Sequence, residues 1–90
     1  MPESPPNFPL GKTAPDLLVD SAAALGRIVR NQRHESGLRQ IDLAGIGNTG
    51  NRLIVDIEKG KPTVQLQKVL DVLDLLGLEL IVRQKTSRAL

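Results

Sequence analysis

The stretch 51–56 carries an amide, a guanidinium, a branched methyl group and a carboxylate, on Asn51, Arg52, Val55 and Asp56. These groups are suited to base edges. An asparagine can bond adenine bidentately and an arginine guanine, each good pair discriminating by ~1–3 kcal/mol. Val55 can touch a thymine methyl. Asp56 can accept from cytosine N4, or instead pair with Arg52 at i,i+4 on the same helical face. Such side chains read sequence only when a rigid element carries them into a groove, and the residues around them must supply it.

The segment Leu38–Gly60, LRQIDLAGIGNTGNRLIVDIEKG, reads as two short helices joined by a tight turn. Leu43, Ala44, Ile54 and Ile57 are spaced to face one core. Gly47-Asn48-Thr49-Gly50 breaks the first of these helices and restarts the second. This is a helix-turn-helix pattern, and its second helix would enter a DNA major groove. Asn51, Arg52, Val55 and Asp56 then stand on the first turns of that helix. Phosphate contacts are expected from Gln40 and the N–H groups at the start of the preceding helix. Arg39, Lys59 and Lys61 are the expected cationic partners, with Arg27 and Arg30 standing further back. The bland alternative for these cations is solvated surface.

Composition narrows the classes. Ninety residues make one domain with a modest core, which dimerisation would help. Phe8 is the only aromatic residue, which argues against single-strand binding by base stacking. There is no cysteine and one histidine, His34, so no disulfide framework, metal site or cofactor is expected. No glycine-rich phosphate loop or carboxylate cluster supports an enzyme. The net charge is only +2, yet residues 27–61 hold seven cations against four acids, and residues 83–90 add three cations without an acid. The N-terminus is proline-rich and acidic rather than basic then apolar, and no apolar run reaches the ~18 residues of a membrane span. A cytoplasmic, nucleoid-associated protein is expected.

Along the chain, five of the six prolines fall within residues 1–15, so residues 1–19 read as a flexible arm. Asp20 or Ser21 can cap a first helix running to about Ser36, with Leu25, Ile28, Val29 and Gln32 on one stripe and Gly37 as its stop. A weak second helix spans about Gln40–Ile46, where Gly45 costs ~1 kcal/mol relative to alanine. A third runs from Asn51 to about Lys59. Pro62 interrupts, Thr63 can cap a fourth helix over Val64–Leu76, and Leu66, Val69, Leu70, Leu73 and Leu76 share its face.

Leu78-Glu79-Leu80-Ile81-Val82-Arg83 differs in kind. Its alternation and β-branched residues predict a strand within residues 78–85, with residues 86–90 a flexible tail. A lone strand needs a partner for its N–H and C=O groups, and a second copy of the chain is the obvious one. Leu78, Leu80, Ile81 and Val82 would form that dimer strand, with Glu79 facing Arg83 across it. A helical turn packed on the fourth helix is the alternative. The fold class expected is all-α: a helix-turn-helix domain of four to five helices over residues 20–77, with a C-terminal β-strand pairing across a homodimer.

The segment Leu38–Gly60 resembles the Xre/Cro/C1-type repressor family, whose pattern is roughly L-T-Q-x-x-L-A-x-x-A-G-V-S-x-x-x-I-S-x-I-E-x-G. Leu38, Gln40, Leu43, Ala44, Ile54, Ile57, Glu58 and Gly60 match without insertion or deletion. Arg39 stands where the pattern has its Thr/Ser cap, and Gly47-Asn48-Thr49-Gly50 replaces Ala-Gly-Val-Ser. The resemblance extends over about Ser21–Gly77 and implies a lambda-repressor-like fold. It also implies an ion pair between Arg33 and Glu58, a scaffold feature of phage repressors. Arg52–Thr63 followed by a leucine-rich helix and a terminal strand looks like HipB-type antitoxins in particular. That likeness implies dimerisation partly through the strand, neutralisation of a HipA-like Ser/Thr kinase toxin, and autorepression of a toxin–antitoxin operon. The helix-turn-helix and the unpaired strand together predict a dimer on a palindromic operator. Competing readings are a stand-alone Xre-type regulator, an antitoxin of a different toxin, and a helical adaptor that binds protein only.

Overall fold

The computed structural model describes residues 16–85, which form four helices: α1 Ala22–Glu35, α2 Gln40–Ile46, α3 Asn51–Glu58 and α4 Leu66–Leu75. The fold is all-α. Ser21, rather than Asp20, caps α1, its Oγ accepting from the Ala24 N–H at 3.0 Å. The helix stops at Gly37, whose φ of +73° lets the Leu38 N–H turn back to the Arg33 carbonyl at 3.1 Å.

At the start of α2, Arg39 has no side-chain acceptor to offer, and the cap works from the other direction. The Asp42 carboxylate accepts from the Arg39 N–H at 2.8 Å and from its guanidinium at 3.0 and 2.9 Å. This is the reciprocal half of a capping box, and it places an anion at the positive end of α2.

Val29, Leu43, Ala44, Ile54, Ile57, Val69, Val72, Leu73 and Leu76 form one core fed by all four helices. α1 lies close against α3 because Gly26 has no Cβ. One built there would sit 2.5 Å from the Ile57 carbonyl oxygen and 2.8 Å from that of Glu58. Gly60 extends the same contact with φ +78°, and its missing Cβ would meet Ala23 Cα at 2.6 Å.

The expected span and buried face of α4 need correcting here. α4 begins at Leu66, not Val64, and its N-cap is Gln65 in extended conformation, so Thr63 does not cap it. The buried register is Val69, Val72, Leu73 and Leu76; Leu66 is 63% exposed because the first turn of α4 projects past the core. The residues 78–85 form neither strand nor helix within the single chain. A ladder cannot form there without a second backbone. The helical alternative does not form either, since Gly77 takes φ +75° and the Leu78 N–H returns to the Leu73 carbonyl at 2.9 Å. Arg83, expected opposite Glu79 of another copy, here lies 3.6 Å from Asp16. Of the expected arm, residues 16–19 are exposed and non-helical; residues 1–15 and the expected tail 86–90 lie outside the described residues. Among the described residues, no helix is long and apolar enough to cross a membrane.

Candidate nucleic-acid interface

The α2–turn–α3 unit is fixed from behind by one carboxylate. Glu58, at the end of α3, accepts from Arg33 Nε at 2.6 Å, Arg33 Nη2 at 3.0 Å and Gln40 Nε2 at 3.1 Å. Arg33 Nη1 donates to the Leu38 carbonyl at 2.8 Å, joining the α1–α2 connection to the same group. Both side chains of the ion pair are buried, at 7% and 4% exposure. Burial pushes the Glu58 carboxyl up, but hydrogen bonds from Arg33 and Gln40, with the charges of Arg33 and Arg30, outweigh it and hold it below the ordinary value. The bond to Glu58 raises the Arg33 guanidinium further against the opposing effect of burial. Three helices therefore meet at a charge that stays ionised. His34, exposed on α1, lies 3.4 Å from Arg33 Nη2 through its Nε2.

The turn is tight without relying on its glycines for a left-handed residue. Asn48 takes φ +52°, while Gly47 is right-handed and Gly50 extended. Asparagine tolerates this region better than other side chains. The Thr49 N–H closes on the Ala44 carbonyl at 2.9 Å.

Gly50 is the N-cap of α3 and brings no side chain of its own, so the first turn is open on its outer side. Asn51 and Arg52 are exposed there, Val55 and Asp56 half-buried one turn on, while Ile54 and Ile57 fill the core behind. Asp56 is not free. Its Oδ1 accepts from Arg52 Nε at 3.1 Å and its Oδ2 lies 3.6 Å from Lys61 Nζ. Lys59 is exposed just beyond the end of α3. Arg39, 77% exposed, is engaged by Asp42, Gln40 by Glu58 and Lys61 by Asp56, so three of the four expected phosphate partners have intramolecular partners in the free chain. Arg27 and Arg30 are exposed on α1. Among the described residues, no group of three or more histidine, cysteine or acidic side chains is placed to hold a metal.

Gly26 is the structural residue that reading by motif missed. A glycine inside a helix costs ~1 kcal/mol relative to alanine, and only the packing tells Gly26, at a close crossing, from Gly45, beside open space.

No protein-family model matches the chain. It is 51% identical over 59 residues to the uncharacterised HTH-type transcriptional regulator y4mF of Sinorhizobium fredii (strain NBRC 101917 / NGR234), a match spanning 66% of this chain and 78% of that protein. Its fold superposes on a HipB–O2 20mer complex with a TM-score of 0.71 at 18% identity, covering 78% of this chain and 97% of that one. A HipA–HipB–O2–O3 complex gives 0.70 at 19% identity, covering 77% and 97% respectively.

Proposed function

Because the chain belongs to the helix-turn-helix (HTH)-type transcriptional regulators, we propose that it is a sequence-specific DNA-binding repressor acting as a homodimer on a palindromic operator. The family is one of regulators rather than enzymes. The observation that carries this reading is the pair Asn51 and Arg52, exposed on the open first turn of α3 while Glu58 locks that helix to α1 and α2. A preorganised helix with an amide and a guanidinium at its leading edge is suited to adenine and guanine in the major groove. Asn51, Arg52, Val55 and Asp56 are assigned to the base-facing side, with Arg39, Gln40, Lys59 and Lys61 flanking it for phosphate. Arg33 and Glu58 serve as scaffold. The dimer strand is residues 78–83, through Leu78, Leu80, Ile81 and Val82, and a two-fold dimer meets half-sites about one helical turn or a multiple apart.

Within this reading the protein is the antitoxin of a type II toxin–antitoxin module, neutralising a HipA-like Ser/Thr kinase and autorepressing its operon. Support comes from the fold, which is that of the HipB structures, and from one of those structures holding HipA beside HipB. A stand-alone regulator is the second reading, favoured by the 51%-identical relative, which is named for transcriptional regulation alone. Co-purification of the chain with a HipA-like kinase supports the antitoxin; a regulator that binds DNA and leaves the kinase untouched supports the second reading.

Footprinting on the protein's own promoter, with a mobility shift of two variants, tests the core of the proposal. Arg52→Ala is expected to cost ~1–3 kcal/mol of specific affinity and to relax preference at one base position. Lys61→Ala is expected to weaken all sequences alike and reduce the salt slope by about one. A single unsymmetrical footprint, or two variants with the same sequence profile and the same salt slope, overturns the assignment.

A further inference from the structure

Asp56 sits on the base-facing side of α3, yet its side chain is only 18% exposed while Arg52, which it bonds, is 82% exposed. A carboxylate that read a base itself would need a free oxygen pointing outward. Here Oδ1 accepts from Arg52 Nε at 3.1 Å and Oδ2 faces Lys61 Nζ at 3.6 Å. The backbone repeats the connection, because the Lys61 N–H donates to the Asp56 carbonyl at 3.0 Å. Among the described residues, Arg52 Nη1 and Nη2 bond no other protein group. A guanidinium has five donors. Fixing it at Nε leaves the two Nη groups as a planar edge, the arrangement that guanine O6 and N7 accept.

We propose that Asp56 is a positioning residue: it selects sequence through Arg52, holding the Nη edge toward the groove, rather than by contacting a base. The inference rests on the DNA-binding reading above. It assigns Asp56 a second effect as well. An acid beside a phosphate backbone repels it, and the repulsion applies to every sequence. Asp56 therefore weakens binding to every sequence alike by its charge, which leaves the ratio of specific to non-specific affinity unchanged, and raises that ratio only through the position it gives Arg52. Lys61, on the opposite oxygen, ties the α3–α4 connection to the same carboxylate.

Selection from a random-sequence duplex library tests this, comparing the full-length wild type with Asp56→Ala, Asp56→Asn, Arg52→Ala and the Arg52→Ala/Asp56→Ala double variant. Circular dichroism confirms that each is folded, and the near-isosteric Asp56→Asn stands in should Asp56→Ala unfold. Asp56→Ala is expected to lose about tenfold in the ratio of specific to non-specific affinity, at the same base pair that Arg52→Ala relaxes. Its non-specific affinity is expected to rise and the double variant to discriminate no less than Arg52→Ala alone. Asp56→Asn, which keeps an oxygen for Arg52 Nε, is expected to retain part of the preference. Relaxation at a different base pair, with losses that multiply in the double variant, makes Asp56 a direct base reader and overturns the proposal. Uniformly tighter binding with preferences unchanged reduces Asp56 to a charge and overturns it too. A wild-type chain that enriches no sequence removes the DNA-binding reading itself, and this inference with it.

Discussion

Where α1 crosses α3, the chain is closed on itself: two glycines allow backbone to touch backbone, and a buried arginine and glutamate satisfy each other and the next connection. In residues 78–85 the opposite holds. Leu80, Ile81 and Val82 are 42%, 63% and 91% exposed, and no ladder forms within the chain. The difference is one of purpose. The closed crossing needs particular residues because it sets where α3 projects, and a shift there moves Asn51 and Arg52 together. The open segment contributes little to the single chain, and its run of apolar side chains makes physical sense against another surface. Mutations in the first region are expected to act on stability, and mutations in the second on assembly.

The largest effect is expected at the ion pair. Arg33→Ala or Glu58→Ala leaves one buried charge uncompensated, at a cost of about 3–5 kcal/mol, whereas replacing both costs less than the sum. A small domain has only ~5–15 kcal/mol in total, so either single variant lies near its unfolding threshold. Urea denaturation followed by circular dichroism measures this, and a loss below about 1 kcal/mol would contradict the closed-crossing account. The pH dependence has a definite sign. Glu58 is held below the ordinary carboxylate value in the folded chain, so its contribution is present above the unfolded-state value and lost as pH falls through the folded one.

Two glycine variants sharpen the same comparison. Gly26→Ala gains ~1 kcal/mol in helix propensity but drives a Cβ against two carbonyl oxygens, at 2.5 and 2.8 Å. Overpacking of ~1–3 kcal/mol is expected to win, with net destabilisation. Gly45 is also helical, but nothing lies within 4 Å of its absent Cβ. Gly45→Ala is therefore expected to stabilise by ~0.5–1 kcal/mol. Thermal melts in which both variants are stabilised would show that local propensity, not the crossing, governs these sites.

The sequence shows much of this and omits the rest for identifiable reasons. Helix periodicity and stop glycines give α1, α2 and α3 to within a residue or two, because those signals are local. The buried face of α4 was less legible: Leu66 fits the 3.6-residue stripe, but only tertiary geometry decides that the core ends before it. Asn48 rather than a glycine takes the left-handed residue of the turn, a choice between neighbours that composition alone does not resolve. Arg39 stands where the pattern has a Thr/Ser cap, yet Asp42 three residues on supplies the anion from inside the helix. Residue types nominate Asn51 and Arg52 on the outer face of α3 and the i,i+4 spacing offers the Arg52–Asp56 pair, whereas the second cation on Asp56, Lys61, is visible only in the fold.

That cap gives a smaller, pH-readable prediction. Asp42 is held down to about 2 by hydrogen bonds from the Arg39 guanidinium and N–H, against an ordinary value of 3.8. Its contribution to α2 is present above pH 3.8 and lost as pH falls through about 2. Carbon-detected NMR titration of the carboxyl is expected to show that midpoint. In Arg39→Ala it is expected to move up toward the ordinary value while remaining partly depressed by the backbone N–H. A midpoint near 3.8 in the intact chain would mean that the cap seen here is not populated in solution.

The smallest effect on the fold is expected from Ile81→Pro, and it separates the two regions most cleanly. Ile81 is exposed, and proline removes an N–H that bonds nothing within the described chain. The stability of the monomer, measured at low concentration, is therefore expected to change by less than about 0.5 kcal/mol. A strand that pairs with its own copy would lose a ladder bond and its extended register at that position. Because two strands alone are marginal, most buried area in a dimer must come from the apolar side chains that the ladder holds in place. Breaking the register is then expected to release the dimer, which sedimentation equilibrium measures directly. Operator affinity is expected to fall with it, since the second half-site is no longer engaged intramolecularly. A loss of more than about 2 kcal/mol in the monomer would move residues 78–85 into the closed part of the fold. Unchanged dimer affinity would place the interface on the helices instead, and leave the exposed segment to another partner.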